Sequence, residues 1–278
     1  MAREPMLFSN IYPESRRRDF GRSVENFLGR RRALPIFEEW QKRCWPSSST
    51  PFCDLLEMLE VPFILPDTRP LREADTVKPL VVVANHPYGV IDGWLIAALL
   101  EKMGRSYRAI GRWDITDFME EYGRFILPVD FSGSEAGREL NENTKREALR
   151  NLREGTAVVI LPAGKIAKAP YILGGSVEAP WKTFAARMVL ATEASVLPIY
   201  LVGQIGVLAQ VMKKLGPFGN NVGLVIEHYR QLRRPQELRC DGLVPFAALE
   251  NRSDRHKLTE ELRDLVFSMQ GRARFAAE

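Results

Sequence analysis

Beyond residue 78 the chain alternates short apolar, β-branched runs with longer stretches whose apolar residues recur every three or four positions. The runs at 80–84 (LVVVA), 107–110, 125–129, 157–161 (AVVIL), 196–202 and 222–226 predict strands. Helices are expected near 92–103, 114–121, 136–153, 179–193 and 254–269. Strands and helices in alternation are the pattern of crossovers over a parallel sheet. The expected class is therefore α/β, a mostly parallel central sheet flanked by helices, with an N-terminal helical segment. Ligands of such sheets sit beyond the carboxyl ends of the strands, so the residues that follow each strand are the first place to look for chemistry.

Upstream the pattern differs. Phe20, Val24, Phe27 and Leu28, then Leu34, Ile36, Phe37 and Trp40, recur at helical spacing among basic residues, and Gly29 and Pro35 are expected to divide the stretch into two helices. A PSSST run at 46–50 precedes a short helix expected at 51–60. The organisation predicted is a basic amphipathic helical segment over 1–60 and an α/β domain over 61–278. The most apolar window, 196–212, holds a proline, two glutamines and two glycines, and reads as a buried strand followed by a loop or helix rather than a membrane span.

Composition narrows the picture. The 278 residues are 45% apolar and 27% charged with three cysteines, which excludes disordered, collagen-like and disulfide-stapled classes. Cys44, Cys53 and Cys240 lack C-x-x-C spacing, so no zinc knuckle is expected and a reducing compartment is. The first residues lack the apolar run of a secretory signal, and a cytoplasmic protein is the expectation. The net charge of +4 resides in residues 1–45, with ten basic and six acidic side chains; the remainder is neutral. Such a segment is either a solvated helix face or an amphipathic surface for anionic lipid. Without a second basic element or a recognisable module, nucleic acid is not an expected partner.

Three segments at strand ends carry candidate chemistry. After the first comes Asn85-His86-Pro87-Tyr88-Gly89-Val90-Ile91-Asp92-Gly93. A strand, a tight turn and a helix would bring Asp92 back toward His86, where the carboxylate could orient an imidazole that takes a proton from a hydroxyl. Asp92 as a plain helix cap, with His86 bonding the loop backbone, fits the same spacing. After AVVIL comes Pro162-Ala163-Gly164-Lys165-Ile166-Ala167-Lys168, a turn whose backbone N–H groups, with Lys165 and Lys168, suit an anion; a solvated loop fits equally. It is not a P-loop, lacking that motif's full pattern. Arg112 adds a cation after the second strand, either for a phosphate or carboxylate or to pair with Asp114. His228 and His256 have no partner nearby in sequence and read as structural or surface residues, and Trp181 and Lys182 open a helix whose apolar face reads as core packing. Trp40, Trp45 and Trp113 could seat at a lipid interface, though a core role is the simpler reading of each. No Gly-x-Ser-x-Gly elbow occurs.

Four blocks in order, NHPYGVIDG, GRWDIT, ILPAGKIAKAP and VLPIYLVG, resemble the glycerolipid (lysophospholipid) acyltransferase family, the 1-acylglycerol-3-phosphate acyltransferases among them, over roughly residues 78–205. The loops are most similar to the hemolysin-like branch that includes lyso-ornithine-lipid acyltransferases. The resemblance implies that His86 is the general base and Asp92 its orienting partner. It also implies a substrate-binding surface from Asn85, Gly89, Arg112, the Pro162 to Gly164 turn, Lys165 and Lys168. Two departures stand out: His86 and Asp92 have five residues between them where the common motif has four, and Ala163 and Ile166 stand where the common third block has Glu and Arg.

The implied enzyme is an O-acyltransferase that moves a fatty acyl group from acyl-CoA or acyl-carrier protein, without metal or other cofactor, to the hydroxyl of a lysolipid acceptor. It would lie peripherally at the inner membrane surface, held by residues 16–45. Alternatives are a non-catalytic lipid-binding protein on the same scaffold and a thioester or lipid hydrolase.

Overall fold

The computed structural model describes residues 23–44, 48–64, 79–114, 123–171 and 174–271. Its centre is strand β2 (Leu80–Ala84), buried along its whole length. Successive strand side chains point to opposite faces. Leu80, Val82 and Ala84 accordingly enter one core, and Val81 and Val83 the other. Strand β5 (Ala157–Ile160) divides in the same way, and so does β6 (Ser195–Leu201). Burial on both faces is why these runs read as continuously apolar.

With β1 (Phe63–Ile64), β3 (Tyr107–Arg112), β4 (Ile126–Val129) and β7 (Gln236–Arg239) they form a seven-stranded sheet of order β1-β7-β6-β2-β5-β3-β4. Pairing is parallel except between β6 and β7. Strands β2 to β6 therefore end at one edge, where the loops that follow them converge.

The first core packs α1 (Arg31–Arg43), α2 (Pro51–Met58), α3 (Val90–Lys102) and α7 (Gly216–Gln231) on the sheet; the second packs α4 (Glu135–Glu154), α5 (Phe184–Thr192) and α8 (Arg255–Phe267). Helix α3, with Asp92 near its start, is buried around most of its circumference, as a helix covered on all sides must be. Among the described residues no helix is long and apolar enough to cross a membrane.

Several expectations are corrected. Gly29, at φ 139°, does kink the N-terminal segment, but Pro35 lies inside α1 and does not end it. A proline in a helix costs about 3 kcal/mol, and burial of Phe37 and Trp40 offsets it at about 1.5–3 kcal/mol for each such side chain. Arg30 is buried, whereas Arg31, Arg32, Lys42 and Arg43 face solvent. Residues 222–226 are not a strand but the middle of α7, in which Val222, Val225 and Tyr229, followed by Leu232 at the C-cap, are buried at helical spacing. Gly219 and Gly223 let α6 (Val207–Lys213) close on that helix, since added methyls would lie 2.3 Å and 2.8 Å from the Met212 and Ala209 carbonyl oxygens. Strand β7 (QELR) carries no apolar run; it buries a Glu237–Arg239 ion pair at 2.7 Å instead. Residues 115–121 of the helix expected at 114–121, Trp45 and Arg16 to Arg18 lie outside the described residues.

At the far end of α3, Glu101 caps α2: its carboxylate accepts from the Phe52 and Cys53 amides at 2.9 Å each and from the Tyr107 hydroxyl at 3.0 Å. Burial pushes its pKa up despite these bonds. Glu101→Ala strands three buried donors and should lower the unfolding free energy by about 3 kcal/mol in urea titration. A carboxyl whose native pKa is raised holds its proton more tightly folded than unfolded, so that stability is present in acid and lost as pH rises through the raised value. The deficit of the variant should therefore shrink as pH climbs from the ordinary value of 4.5.

Candidate active site

The loop between β2 and α3 turns at Gly89, the helix N-cap, whose φ of 113° suits glycine. Three residues on, the fully buried Asp92 places Oδ2 where three donors converge. It accepts from the Tyr88 and Gly89 amides at 2.9 Å each and lies 2.8 Å from His86 Nδ1. The two readings left open by the sequence, helix cap and imidazole partner, are thus met by one oxygen. A carboxylate on Nδ1 favours the tautomer whose basic nitrogen is Nε2, and the His86 side chain is 19% exposed.

Neighbouring segments fix this loop. Asn85 is buried, donating to the Leu201 carbonyl at 2.9 Å and accepting from the Leu201 amide at 2.6 Å, which ties β2 to β6. Tyr88 donates its hydroxyl to the Val202 carbonyl at 3.0 Å, and burial lifts its pKa to about 12. After β5 the chain turns through Pro162, Ala163 and Gly164, the last at φ 62°, and runs back as a hairpin closed by the Lys168–Val177 bridge. Ile166 packs on the turn that follows His86: a methyl at Gly89 would lie 3.0 Å from its Cδ1.

Two residues that the sequence did not single out as site members join the group. Glu178 accepts from the His86 amide and, at 2.6 Å, from Trp181 Nε1; burial raises its pKa. Lys182 lies beside the Pro162 to Gly164 turn, its amide donating to the Pro162 carbonyl at 3.0 Å and its Nζ 4.1 Å from the centre of the Phe131 ring. Burial, then the Lys165 charge, pushes the Lys182 pKa down, so two cations share this turn. Lys165 and Lys168 are exposed. Arg112, also exposed, pairs through both guanidinium arms with Asp114, the Nε bond being 3.0 Å. His228, edge-on to Trp94, is buried and its pKa falls to about 4, while His256 is exposed. All three cysteines are free; burial raises the pKa of Cys53 to about 12 and of Cys240 to about 11, which leaves neither poised as a nucleophile.

A histidine base on a buried carboxylate, at the carboxyl edge of the sheet beside a cationic turn, can deprotonate a hydroxyl next to an anionic group. Residues 68–202, which span β2 to the end of β6 and so include all of these loops, match the family model described as acyltransferase. That match, over nearly half of the chain, supports the glycerolipid acyltransferase family. The structure of this acyltransferase is similar to the crystal structure of the 1-acyl-sn-glycerophosphate (LPA) acyltransferase of Thermotoga maritima. The TM-score is 0.52 at 14% identity, over 90% of this chain and 95% of that one, a likeness of fold. No curated protein matches the sequence.

Tyr88 offers a test of how firmly the acyltransferase loop must be held. Gly203 has φ 133°, and a methyl there would lie 1.6 Å from the Tyr88 hydroxyl oxygen. Gly203→Ala should therefore expel Tyr88 from Val202, lower the melting temperature and reduce turnover roughly tenfold or more. Thermal unfolding and a thioester-release assay check this, and wild-type values in both would show that the Tyr88 anchor is dispensable.

Proposed function

We propose that this acyltransferase moves a fatty acyl group from a thioester carrier, acyl-CoA or acyl-carrier protein, to the hydroxyl of a lysolipid acceptor, with His86 as general base. The observation that carries this reading is the buried Asp92 carboxylate 2.8 Å from His86 Nδ1. His86 Nε2 takes the hydroxyl proton as the oxygen attacks the thioester carbonyl. The tetrahedral oxyanion then collapses, the carbon–sulfur bond breaks, and the departing thiolate takes the proton from the imidazolium. General base catalysis contributes about 10²- to 10⁴-fold and an oxyanion donor about 10²- to 10³-fold. A thioester needs no stronger electrophile than that.

The turn at Pro162 to Gly164, with Lys165, Lys168 and Lys182, would hold an anionic part of donor or acceptor, and Arg112 would join it by exchanging Asp114 for the ligand. With Ala163 buried and Ile166 packed on the catalytic turn, the carboxylate and cation of the common third block are missing from those positions. This and the longer His86 to Asp92 spacing favour the hemolysin-like branch and an acceptor other than an ordinary glycerol phosphate.

In purified protein His86→Ala should abolish transfer with the fold intact, and Asp92→Asn should reduce it by at least about 10²-fold through lost orientation of the imidazole. Substantial transfer by folded His86→Ala would overturn the assignment. Thiol release that does not depend on added lysolipid would mark a hydrolase instead, and a protein that acylates no lysolipid would be a binding scaffold. The lysolipid that accumulates in cells lacking the protein, read by mass spectrometry, would name the acceptor.

The exposed Arg31 and Arg32, with the basic residues of 16–45, would hold the enzyme peripherally on an anionic bilayer at the inner membrane surface. At about 1 kcal/mol per cation, Arg31→Ala with Arg32→Ala should weaken binding to anionic vesicles roughly 30-fold at low salt. Unchanged vesicle sedimentation would return these arginines to a solvated helix face.

A further inference from the structure

We propose that Glu178 is a positioning residue for His86, fixing through the backbone the base whose ring Asp92 orients; this rests on the reading of His86 as the base. Both backbone groups of His86 are held by the two arms of one hairpin. Its carbonyl accepts from the Ala167 amide at 2.9 Å and its amide donates to Glu178 Oε1. The paired amides and carbonyls of Lys168 and Val177, at 2.9 Å and 3.0 Å, join the arms one residue inward from each contact. Ala167 and Glu178 therefore face each other across the hairpin and grip His86 from both arms.

The second oxygen of Glu178 is held in turn by Trp181 Nε1 at 2.6 Å. A desolvated carboxylate with each oxygen on a donor has little freedom to move. Holding the His86 amide and carbonyl fixes the direction in which its side chain leaves the loop, and hence whether Nδ1 meets Asp92. A carboxylate reaches the base loop here from fifteen residues beyond Ala163, the position at which the third block lacks one.

Steady-state kinetics on palmitoyl-CoA with mixed lysophospholipid vesicles test this in wild type, His86→Ala, Glu178→Ala, Glu178→Gln, Trp181→Phe and the Glu178→Gln/Trp181→Phe pair. Glu178→Ala should lower kcat about 10²-fold, with KM within about threefold and the melting temperature little changed. Glu178→Gln offers one oxygen to two donors and should also be impaired. Removing the indole N–H should leave that oxygen to His86, so the pair should exceed Glu178→Gln roughly tenfold in kcat, while Trp181→Phe alone, which frees one Glu178 oxygen but keeps the bond to His86, should fall between Glu178→Gln and wild type. That recovery remains readable if Glu178→Ala fails to fold.

A merely structural anchor would lose kcat in step with stability, and the pair would be worse than either single variant; that result overturns the inference. Loss of turnover in His86→Ala beside wild-type kcat in Glu178→Ala overturns it alone. Retained turnover in His86→Ala overturns the base assignment and this inference together.

Discussion

One oxygen, Asp92 Oδ2, organises the loop that carries the candidate base. Three donors meet it in a fully buried position: the amides of Tyr88 and Gly89 and the ring of His86. A buried carboxylate is tolerable only where donors replace the lost water. The turn and the imidazole are therefore each necessary to the other: a loop that placed His86 elsewhere would strand the charge, and an uncharged residue at 92 would leave two amides unanswered. Helix start and candidate base are built from the same bonds, so local folding and orientation of the site form a single event.

That arrangement depends on α3 being held immovably, and both ends of the helix show how. Asp92 closes the amide groups at its own N-terminus, while Glu101, near its C-terminus, closes those of α2. Between the two carboxylates, Trp94 to Leu100 is continuously buried against the sheet and its covering helices. Apolar burial supplies the driving force, but it is non-directional. The carboxylates add the register that the apolar contacts do not specify. Asn85 does the same between β2 and β6, answering both backbone groups of Leu201 with one side-chain amide.

What could be read from the sequence follows from which interactions are local. Strands β2, β5 and β6 were legible because burial on both faces demands unbroken β-branched runs, and the His86–Asp92 pair because its bonds span only six residues. Strand β7 was not, because it satisfies burial with an ion pair rather than apolar side chains. The helix over Val222 was misread because a short apolar run carries too few turns to display its period, and Pro35 because tertiary burial outweighed its local cost. Glu178 reaches His86 across 92 residues of chain and Lys182 reaches Phe131 across a helix and a strand, and nothing in either local sequence announces such a meeting. The approach of VEAPWK to α5 held a weak signal, an acid three residues before a tryptophan that needs an acceptor.

The electrostatics of the third loop then acquire a direction. Ile166 turns inward against Gly89, so apolar packing on the turn after His86 stands where the common third block has a cation. Positive charge returns through Lys182, from the following segment, beside Lys165. Partial burial, and after it the neighbouring Lys165 charge, disfavours the ammonium, which is why the Lys182 pKa is pushed down. The strain is relieved when an anion lies between them, because each lysine then gains an opposite charge while the repulsion persists only in part. In the proposed reaction that anion is a group on donor or acceptor, and its negative charge would favour the charged form of Lys182. Binding selectivity at this turn would thus depend on how well the head group bridges two flexible ammonium groups rather than one rigid guanidinium.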